Sequence, residues 1–400
     1  MLTVEEARAR ILAAFGPLSV IEVPVAEAAG MVVAADVSAP HPLPRFDNSA
    51  MDGYALRRSD VMGVPTTLRV IGETRAGEPG LMEVTAGTAI RIMTGAPVPP
   101  GADAVVPIEE ADEDADGTVT IAVVPRERAH IRPAGDDVDT GDLLVAAGTE
   151  LGAGELALLA SVGMSPVAVR RRPVVALLST GDELVAPETD PGPGQIRDSN
   201  SVALRALVED AGGEPRLVGS VPDELEAVRA AVADATRGAD LVVSSGGVSV
   251  GRYDHVKQVV EDAGGLDFWR VAMQPGKPVV SGRIGDTPFL GLPGNPVSVH
   301  IGFEQFVRPA VRKMRGCRDL LRPTLTARLA TRLEKKPGRL HFVRVRLSFD
   351  DGVVVATPAR AQGSHIQSSL VDCHGVARFG VDESVLDQGA DVTVEVWKLP

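Results

Sequence analysis

The chain changes its pattern of apolar and polar positions along its length, and each pattern predicts a different architecture. In "MLTVEEARARILAAF" (1–15) apolar side chains recur at helical spacing, and Thr3 with Glu6 forms a capping-box pattern, which predicts an amphipathic helix. Between residues 66 and 124, runs such as "TTLRVIGE" and "TVTIAVV" are separated by Gly and Pro. That rhythm predicts short strands that form a small antiparallel barrel.

Beyond residue 173 the pattern becomes an alternation of strands and helices. "PVVALLSTGDEL" (173–184) is the continuous apolar run of a strand buried on both faces. "EPRLVGSV" and "DLVVSSGG" predict further strands, while "SNSVALRALVEDAGG" and "DELEAVRAAVADATRGAD" predict helices, the second capped by Asp223. This alternation predicts a doubly wound α/β domain over about 173–312. From about residue 318 the strand pattern returns, so the fold class is α/β plus β with several domains.

Composition and charge narrow the classes of function. The chain has 400 residues and a formal net charge of −14, which argues against a general nucleic-acid or anionic-membrane binder. Its two cysteines, Cys317 and Cys373, fit a reducing cytoplasm and exclude a disulfide framework. The first residues lack the apolar core of a signal peptide, and no stretch reaches the roughly 20 apolar residues of a membrane span. We therefore expect a cytoplasmic protein.

The stretch "SSGGVSVGRYDH" (244–255) follows the apolar run "ADLVV" (239–243). Glycine lets the backbone approach a ligand closely, and free N–H groups at the carboxyl end of a strand suit phosphate. A tight strand-to-helix turn of any α/β domain has the same composition, because a lone glycine-rich loop is a weak signal. The stretch by itself leaves both interpretations open.

Other strand ends carry polar residues that make the site more specific. The first strand ends in "STGDE" (179–183), another is followed by Asp223, and a third leads to Asp254. Ligands of open α/β sheets bind outside the carboxyl ends of the strands. Carboxylates next to phosphate-binding loops indicate Mg²⁺, and Glu183, Asp223 and Asp254 are the candidate ligands. A simple helix cap remains the alternative for Asp223, and a turn cap for Asp182.

Two other features favour plain structural roles or stay open. "ADEDADG" (111–117) matches half of a calcium-binding loop, but Val123 stands where the last acidic ligand belongs, so we expect a solvated hairpin turn. His365, in "GSHIQSS" (363–369), either reaches a pocket or packs in the core.

Several long motifs together resemble one known family, the MoeA family of molybdopterin molybdenumtransferases, which is similar to the E domain of gephyrin. The resemblance covers nearly the whole chain in order. The motifs that carry it are "RFDNSAMDGYA" (45–55), "RIMTGAPVPPGADAVVPIEE" (91–110), "LLSTGDEL" (177–184), "IRDSNS" (196–201), "SSGGVSVG" (244–251), "PGKP" (275–278), "GLPGNPVS" (291–298) and "GSHIQSS" (363–369).

The resemblance implies four domains and a homodimer. The α/β domain is expected to be similar to MogA and to bind molybdopterin. The active site is expected between the α/β and C-terminal domains of one subunit and the second domain of the other. The implied boundaries are an elongated first domain at 1–22, 41–53 and 137–170, an inserted β domain at 23–40 and 54–136, the α/β domain at 171–313 and the C-terminal β domain at 318–400.

The resemblance also implies a reaction and its residues. Adenylylated molybdopterin and molybdate are the expected substrates, and Mg²⁺-dependent hydrolysis of the anhydride releases AMP and molybdenum cofactor. The implied catalytic residues are Glu183, Asp223, Asp254, Asp137 and Thr94. The implied residues for molybdopterin and AMP are Ser179, Thr180, Gly181, Asp182, Ser245, Gly246, Gly247, Ser249, Gly251, Pro293, Gly294 and Asn295.

Molybdate is a dianion and needs cationic and hydroxyl donors. The candidates are Lys277, Arg270, Arg344, Ser368 and Ser369. For Arg344 a solvated strand face is the alternative. The chain departs from the family pattern at three positions: many relatives carry Lys at the position of Gln274, some carry Lys at that of Arg270, and many carry an acidic residue at that of Arg252, near the expected anhydride pocket.

Three alternatives stay open beside the transferase. A gephyrin-like scaffold normally has a further N-terminal domain and a long linker. A molybdopterin adenylyltransferase does not need the flanking β domains that this sequence predicts. An inactive paralogue is the third alternative, because of Gln274 and Arg252. The expected partners are the two substrates, a second copy of the chain and, in transient contact, the adenylyltransferase and the molybdoenzymes that receive the cofactor.

Overall fold

The computed structural model describes residues 1–247, 255–263, 265–359 and 361–400. Ser249, Gly251, Arg252 and Asp254, which the sequence analysis singled out, lie outside these residues. In chain order the α-helices are Val4–Ala13 (α1), Ala153–Ser161 (α2), Ser199–Asp210 (α3), Leu225–Thr236 (α4), His255–Ala263 (α5), Pro296–Gly302 (α6) and Arg308–Met314 (α7), with a π-helical turn at Phe303–Val307 joining the last two.

The N-terminal part of the chain is built mainly of short strands. They are Val20–Val23 (β1), Val32–Val33 (β2), Val37–Ser38 (β3), Asn48–Ser49 (β4), Gly53–Leu56 (β5), Thr66–Thr74 (β6), Thr88–Ile92 (β7), Ala104–Pro107 (β8), Ala111–Glu113 (β9), Thr118–Ile121 (β10), Ile131–Arg132 (β11), Leu143–Val145 (β12) and Val167–Arg170 (β13). Strands β8-β5-β7-β6-β10-β9 form one sheet in that order around a core that includes Tyr54, Leu56 and Ile121.

One pairing in this sheet differs from the antiparallel arrangement expected from the sequence. Strands β6 and β7 run parallel, whereas the other pairs are antiparallel. A parallel pair needs a long connection, and residues 75–87 supply one. The expected solvated hairpin is present between β9 and β10, where Asp116 accepts hydrogen bonds from the backbone and hydroxyl of Thr118.

The segments around the inserted sheet form a second, elongated unit. Strands β1-β13-β2 pair in that order, β12 pairs with β3, and α2 packs over them on a core that includes Val33, Leu159 and Val169. The domain boundaries stay a prediction. The pairing of β2 and β3 favours placing residues 23–40 with this elongated unit, because their partners lie at 143–170.

The central part of the chain is the α/β sheet. Its strands are Val174–Thr180 (β14), Leu184–Val185 (β15), Ile196–Arg197 (β16), Glu214–Val221 (β17), Leu241–Ser245 (β18), Leu266–Arg270 (β19), Met273–Gln274 (β20), Pro278–Ile284 (β21) and Thr287–Leu292 (β22). The sheet order is β17-β14-β18-β22-β21-β19, with the first four strands parallel and the last two antiparallel. Strands β14 and β18 are buried almost throughout, as expected for parallel strands whose sheet is covered on both faces.

Two predicted caps have opposite outcomes. The capping box at the start of α1 is confirmed, because Thr3 and Glu6 exchange side-chain and backbone hydrogen bonds. The prediction that Asp223 caps its helix is wrong. Glu224 occupies that position without a side-chain bond, and α4 begins at Leu225, so the Asp223 carboxylate is free of a capping role.

The C-terminal region forms a closed ring of strands next to the α/β sheet. Its strands are Thr324–Leu329 (β23), Leu333–Glu334 (β24), Leu340–Asp350 (β25), Val353–Pro358 (β26), Gly375–Phe379 (β27), Val385–Leu386 (β28) and Asp391–Val396 (β29). The ring runs β25-β26-β23-β29-β27 and closes by the pairing of β27 with β25. Strand β20 of the central region adds to β25, so the segment after it lies where the two regions meet. The predicted fold class is confirmed.

Candidate active site

A cavity of about 850 Å³ opens between the α/β region and the C-terminal ring. We call it the interdomain cavity. It lies at the carboxyl ends of the parallel strands, where open α/β sheets bind ligands. From the α/β region it is lined by Glu183, Ile196, Gly246, Gly247, Met273, Gln274, Pro275, Gly276, Lys277, Pro278, Pro293, Gly294, Asn295, Pro296 and Ser298, and from the ring by Arg339, Gln362, Gly363, Ser364 and His365.

Two glycines after β18 form the floor of the cavity. Gly246 and Gly247 have φ of 88° and 65°, in the left-handed region that only glycine adopts without strain. A Cβ on Gly247 would lie 2.8 Å from both the Thr180 hydroxyl and a Val256 methyl group, so no side chain fits there. The backbone therefore carries no side chain towards the cavity, which lets a phosphate approach it closely. The Gly246 N–H donates to the Leu292 carbonyl at 3.0 Å, so the Gly247 N–H is the candidate donor to a ligand.

The Thr180 hydroxyl lies beneath this turn. The residue is 6% exposed, and among the described residues its oxygen has no hydrogen-bond partner. A buried polar group without a partner costs free energy, so it marks a place where a ligand or water completes the structure.

Three carboxylates lie together at one side of the cavity. The Asp182 carboxylate accepts a hydrogen bond from the backbone N–H of Asp223 at 2.9 Å, and Glu183 lines the cavity itself. Burial raises the pKa of Asp223, and the negative charges of Asp182 and Glu183 raise it further. A cation bound between these carboxylates would offset their mutual repulsion.

These carboxylates fit a magnesium ion only when the ion is shared with a substrate. Among the described residues no group of three or more acidic, His or Cys side chains is arranged to hold a metal alone. Mg²⁺ commonly binds one or two protein carboxylates, with substrate phosphates and water completing its shell. Glu183 and Asp223 meet that requirement, and Asp254 lies outside the described residues.

Hydrogen bonds across the cavity join the two regions. Asn295, at the start of α6, donates from Nδ2 to the Ser364 hydroxyl at 3.2 Å, and the N–H of Val297 donates to the Ser364 carbonyl at 3.1 Å. The loop at 361–366 therefore belongs to the wall of the site although it is far away in sequence.

Two cations line the cavity, one from each region. Lys277 follows β20, Arg339 precedes β25, and among the described residues neither makes an ion pair. Positive charge on the ring side also affects His341. Burial lowers the pKa of His341 to about 4, and the nearby charges of Arg344, Lys335 and Arg339 contribute to this decrease. In a chain of net charge −14, such local positive charge indicates an anionic ligand.

Arg344 is fully buried, at 0% exposure, so the solvated-strand alternative is wrong. Its Nε donates to the Ser369 hydroxyl at 2.8 Å, and its Nη2 donates to the carbonyls of Ala361 and Gly363 at 3.2 and 3.3 Å. Burial lowers its pKa to about 10. Arg344 thus holds the 361–369 loop from below, and within the described residues only Nη1 lacks a partner.

The two serines predicted with Arg344 lie apart from Lys277. Ser368 and Ser369 line a second pocket of about 510 Å³ within the ring, together with Ile366 and Val371. The 361–369 loop therefore has two sides, with Ser364 and His365 facing the interdomain cavity and the serine pair facing the other pocket.

Other predicted substrate residues lie beside or below the cavity. Ser179 is 1% exposed, and its hydroxyl is 2.8 Å from that of Ser201 in a buried network. Ser245 is 3% exposed directly before the two glycines. Gly181 packs against the Glu183 carboxylate.

Three further predicted residues lie in other parts of the chain and do not line its cavity. Thr94 donates from its backbone and hydroxyl to Asp52, at 2.7 and 2.8 Å, and belongs to the loop after β7. Asp137 lies in the loop that pairs with Leu43. Arg270 is exposed at the end of edge strand β19.

Sequence reasoning missed several lining residues. Arg339, Gln362 and Ser364 were not proposed, and His365 was left between two interpretations that the structure decides in favour of the cavity. The motif "GSHIQSS" was the available signal, but it does not say which of its side chains face which pocket. For Arg339 the signal is weaker: a lone basic residue that follows Pro337 and Gly338 at the start of a strand.

Comparison with protein families matches almost the whole chain. Residues 2–163 match the MoeA N-terminal region (domains I and II), residues 176–313 a probable molybdopterin binding domain, and residues 326–397 the MoeA C-terminal region (domain IV).

Individual relatives agree with this match. The chain is 38% identical to the molybdopterin molybdenumtransferase of Haemophilus influenzae, over 99% of this chain and 98% of the relative. It is 38% identical to molybdopterin molybdenumtransferase 2 of Mycobacterium tuberculosis, over 95% of each chain. A crystal structure of a molybdopterin biosynthesis MoeA protein from Pyrococcus horikoshii superposes with a TM-score of 0.86 at 33% identity, covering 100% of this chain and 99% of that one.

Proposed function

The chain belongs to the MoeA family of molybdopterin molybdenumtransferases, and from this we propose that it inserts molybdenum into adenylylated molybdopterin with release of AMP. It is a transferase of molybdenum cofactor biosynthesis. The observation that best supports the detailed reaction is the interdomain cavity, which combines a glycine turn, the Glu183 carboxylate and two cations that make no ion pair among the described residues.

Each wall of the cavity suits a different part of this substrate. The N–H of Gly247, with the Thr180 hydroxyl beneath, suits the oxygens of the pterin phosphate and its anhydride, whereas the Gly246 N–H already donates to the Leu292 carbonyl at 3.0 Å. Lys277 and Arg339 suit molybdate, because a dianion needs opposing positive charge. The anhydride would thus lie between the carboxylate side and the cationic side.

Glu183 and Asp223 are the described residues that would hold Mg²⁺. When bound, the ion supplies positive charge that neutralises the phosphoryl oxygens of the anhydride. The task of the carboxylates is to bind and orient. Burial and the charges of Asp182 and Glu183 raise the pKa of Asp223, and a cation bound between these carboxylates would offset that effect.

A homodimer and a cytoplasmic location remain part of this proposal. Thr94 and Asp137 belong to the N-terminal part and do not line the cavity of their own chain, which favours their contribution to a second copy's site. No α-helix in the described ranges is both long enough and apolar enough to cross a bilayer.

The decisive experiment is AMP release from adenylylated molybdopterin in the presence of Mg²⁺, with and without molybdate. We expect release that depends on molybdate for the native chain and loss of at least a hundredfold in Glu183→Gln, a range typical of removing one charge-stabilising group. Glu188→Gln is the matched control, because Glu188 is exposed in the same segment and does not line the cavity. Absence of release from folded native protein at any molybdate or tungstate concentration would overturn the proposal.

A further inference from the structure

Asn200, the second residue of α3, contacts two glycine-containing loops of the cavity, the one after β18 and the one after β22. Its Nδ2 donates to the Ser245 hydroxyl at 3.0 Å and to the Gly294 carbonyl at 2.7 Å. Ser245 ends β18 and Gly294 follows β22, so one side-chain amide joins the ends of two neighbouring parallel strands. The loops nearly touch, since a Cβ on Gly294 would lie 3.8 Å from the Cα of Gly246.

The chemistry of these contacts determines the direction of each hydrogen bond. A carbonyl oxygen only accepts, so the Asn200 atom next to Gly294 is the amide nitrogen and not the amide oxygen. The same nitrogen donates its second hydrogen to Ser245, whose oxygen therefore accepts. The Ser245 hydrogen consequently stays available for an acceptor on another side.

Hydrogen bonds to the neighbouring strands fix the start of α3, and with it the position of Asn200. Asp198 caps the helix by accepting from the N–H of Ser201 at 3.0 Å, and it also accepts from the Ser201 and Ser220 hydroxyls at 2.6 and 3.2 Å. The Ser201 hydroxyl contacts Ser179 on β14. Because these serines lie on or against β14 and β17, the helix start cannot shift without breaking a buried network.

We propose that Asn200 is a positioning residue for the molybdenumtransferase reaction. It fixes the separation of the Gly246 and Gly294 loops and makes the Ser245 hydroxyl a donor towards the phosphate oxygens of adenylylated molybdopterin. This inference rests on the proposed function. Asn200 has both amide hydrogens engaged and acts through Ser245 and Gly294, not through contact with the substrate.

Two substitutions at Asn200 distinguish a role that depends on the direction of its hydrogen bonds from a role that only links the two loops. In Asn200→Asp the side chain keeps its shape, but the carboxylate accepts from Ser245 and is repelled by the Gly294 carbonyl. In Asn200→Ala both bonds are lost, yet the Ser245 hydrogen stays free to reach a substrate. We expect kcat/KM to fall about tenfold to a hundredfold in Asn200→Asp and less in Asn200→Ala. A loose structural role predicts the opposite order, because the alanine removes more contacts.

A double-mutant cycle tests whether the effect passes through Ser245. Ser245→Ala removes the donor, so Asn200→Asp should cost clearly less in that background than in the native chain, because only its effect on Gly294 remains, whereas independent effects would multiply. Additive losses, or an Asn200→Asp variant with native kcat/KM, would overturn the inference. Ser199→Ala, one position earlier on α3, is the control expected to behave as native, since Ser199 contributes no side-chain hydrogen bond among the described residues.

A binding measurement keeps this test separate from the proposed function. Calorimetric titration with molybdopterin, a phosphate monoester, should show the same order of native, Asn200→Ala and Asn200→Asp affinities, with thermal midpoints that do not follow that order. If the three affinities followed this order but the native chain released no AMP, the proposed reaction would be refuted and the positioning role of Asn200 would stand. If AMP release were native in all three chains, the inference would fail and the proposed function would stand.

Discussion

At the residue scale, single charged side chains give the interdomain cavity both negative and positive groups. Glu183 lines the cavity with Asp223 close to it, whereas Lys277 and Arg339 line the cavity as cations. Neither cation has an ion-pair partner among the described residues, so both remain available to an anionic ligand. The two predictions at this scale concern one residue of each charge.

Asp223→Asn should abolish AMP release while raising the thermal stability of the chain at neutral pH. The folded pKa of Asp223 is raised, so protonation stabilises the fold: this stability is present below the ordinary aspartate pKa and is lost as pH rises through the raised value. An amide carries no charge and avoids that loss. Because the group is partly solvated, we expect a rise of only about 1 °C in the midpoint.

The measurement is thermal unfolding of native and Asp223→Asn chains at neutral pH and at about pH 3.5, near the ordinary aspartate value, without Mg²⁺. The difference between the two chains should shrink at the lower pH, where the native carboxyl is protonated as well. A lower midpoint for the variant at neutral pH would contradict this assignment of charge repulsion.

Arg339→Ala should weaken molybdate binding by about tenfold to a hundredfold, as expected for the loss of a charge-assisted contact. Equilibrium dialysis with molybdate at fixed ionic strength measures it. Lys336→Ala removes an equal charge from an exposed position of the same turn and should leave binding nearly unchanged. Equal losses of affinity in the two variants would mean that Arg339 acts only through its contribution to the overall positive charge of this region, and not through contact with molybdate.

At the scale of elements, the 361–369 loop connects the ring to the site. It is held from below by Arg344 and across the cavity by Asn295 and Val297. A loop fixed from two sides can present Ser364 and His365 with little loss of conformational freedom on binding. Arg344 therefore contributes to the site mainly by positioning this loop.

Arg344→Met should loosen the loop with only a small change in global stability. Three hydrogen bonds are lost, but so is a buried charge without a carboxylate partner, and these effects offset each other. We expect hydrogen exchange at 363–370 to accelerate at least tenfold and the midpoint to move by less than about 3 °C. The exposed Arg328→Met on β23 is the control, and unchanged exchange in Arg344→Met would contradict the role.

At the scale of the whole molecule, one chain does not bring all the predicted catalytic residues together. Glu183 lines the cavity, whereas Thr94 and Asp137 lie in the N-terminal part. In a symmetric dimer, each site can combine the cavity of one chain with the N-terminal part of the other. The arrangement leads to a quantitative prediction.

Inactive Glu183→Gln and Asp137→Asn chains, unfolded together and refolded as a mixture, should regain activity. Random pairing makes about half of the dimers mixed, and each mixed dimer has one site free of both substitutions, which gives about a quarter of native activity. AMP release measures it, with each variant refolded alone as the control. A mixed dimer that stayed inactive would place both residues in one chain's site.

The local sequence determined the order of elements and the position of the glycine turn. Apolar periodicity, Gly and Pro act over a few residues, so the capping box at Thr3 and Glu6, the span of β17 at Glu214–Val221 and the turn at Gly246 and Gly247 were all predictable. The convergence of strand ends on one crevice follows from the parallel arrangement alone.

Only the tertiary structure decided which side chains share the cavity. Asn295 meets Ser364 across 69 positions of sequence, and Arg339 enters the site because β20 pairs with β25. The burial of Arg344 and the freedom of Asp223 from a cap were not predictable for the same reason. Local patterns specify elements, whereas burial, charge balance and hydrogen-bond direction depend on contacts between residues that the chain brings together from far apart.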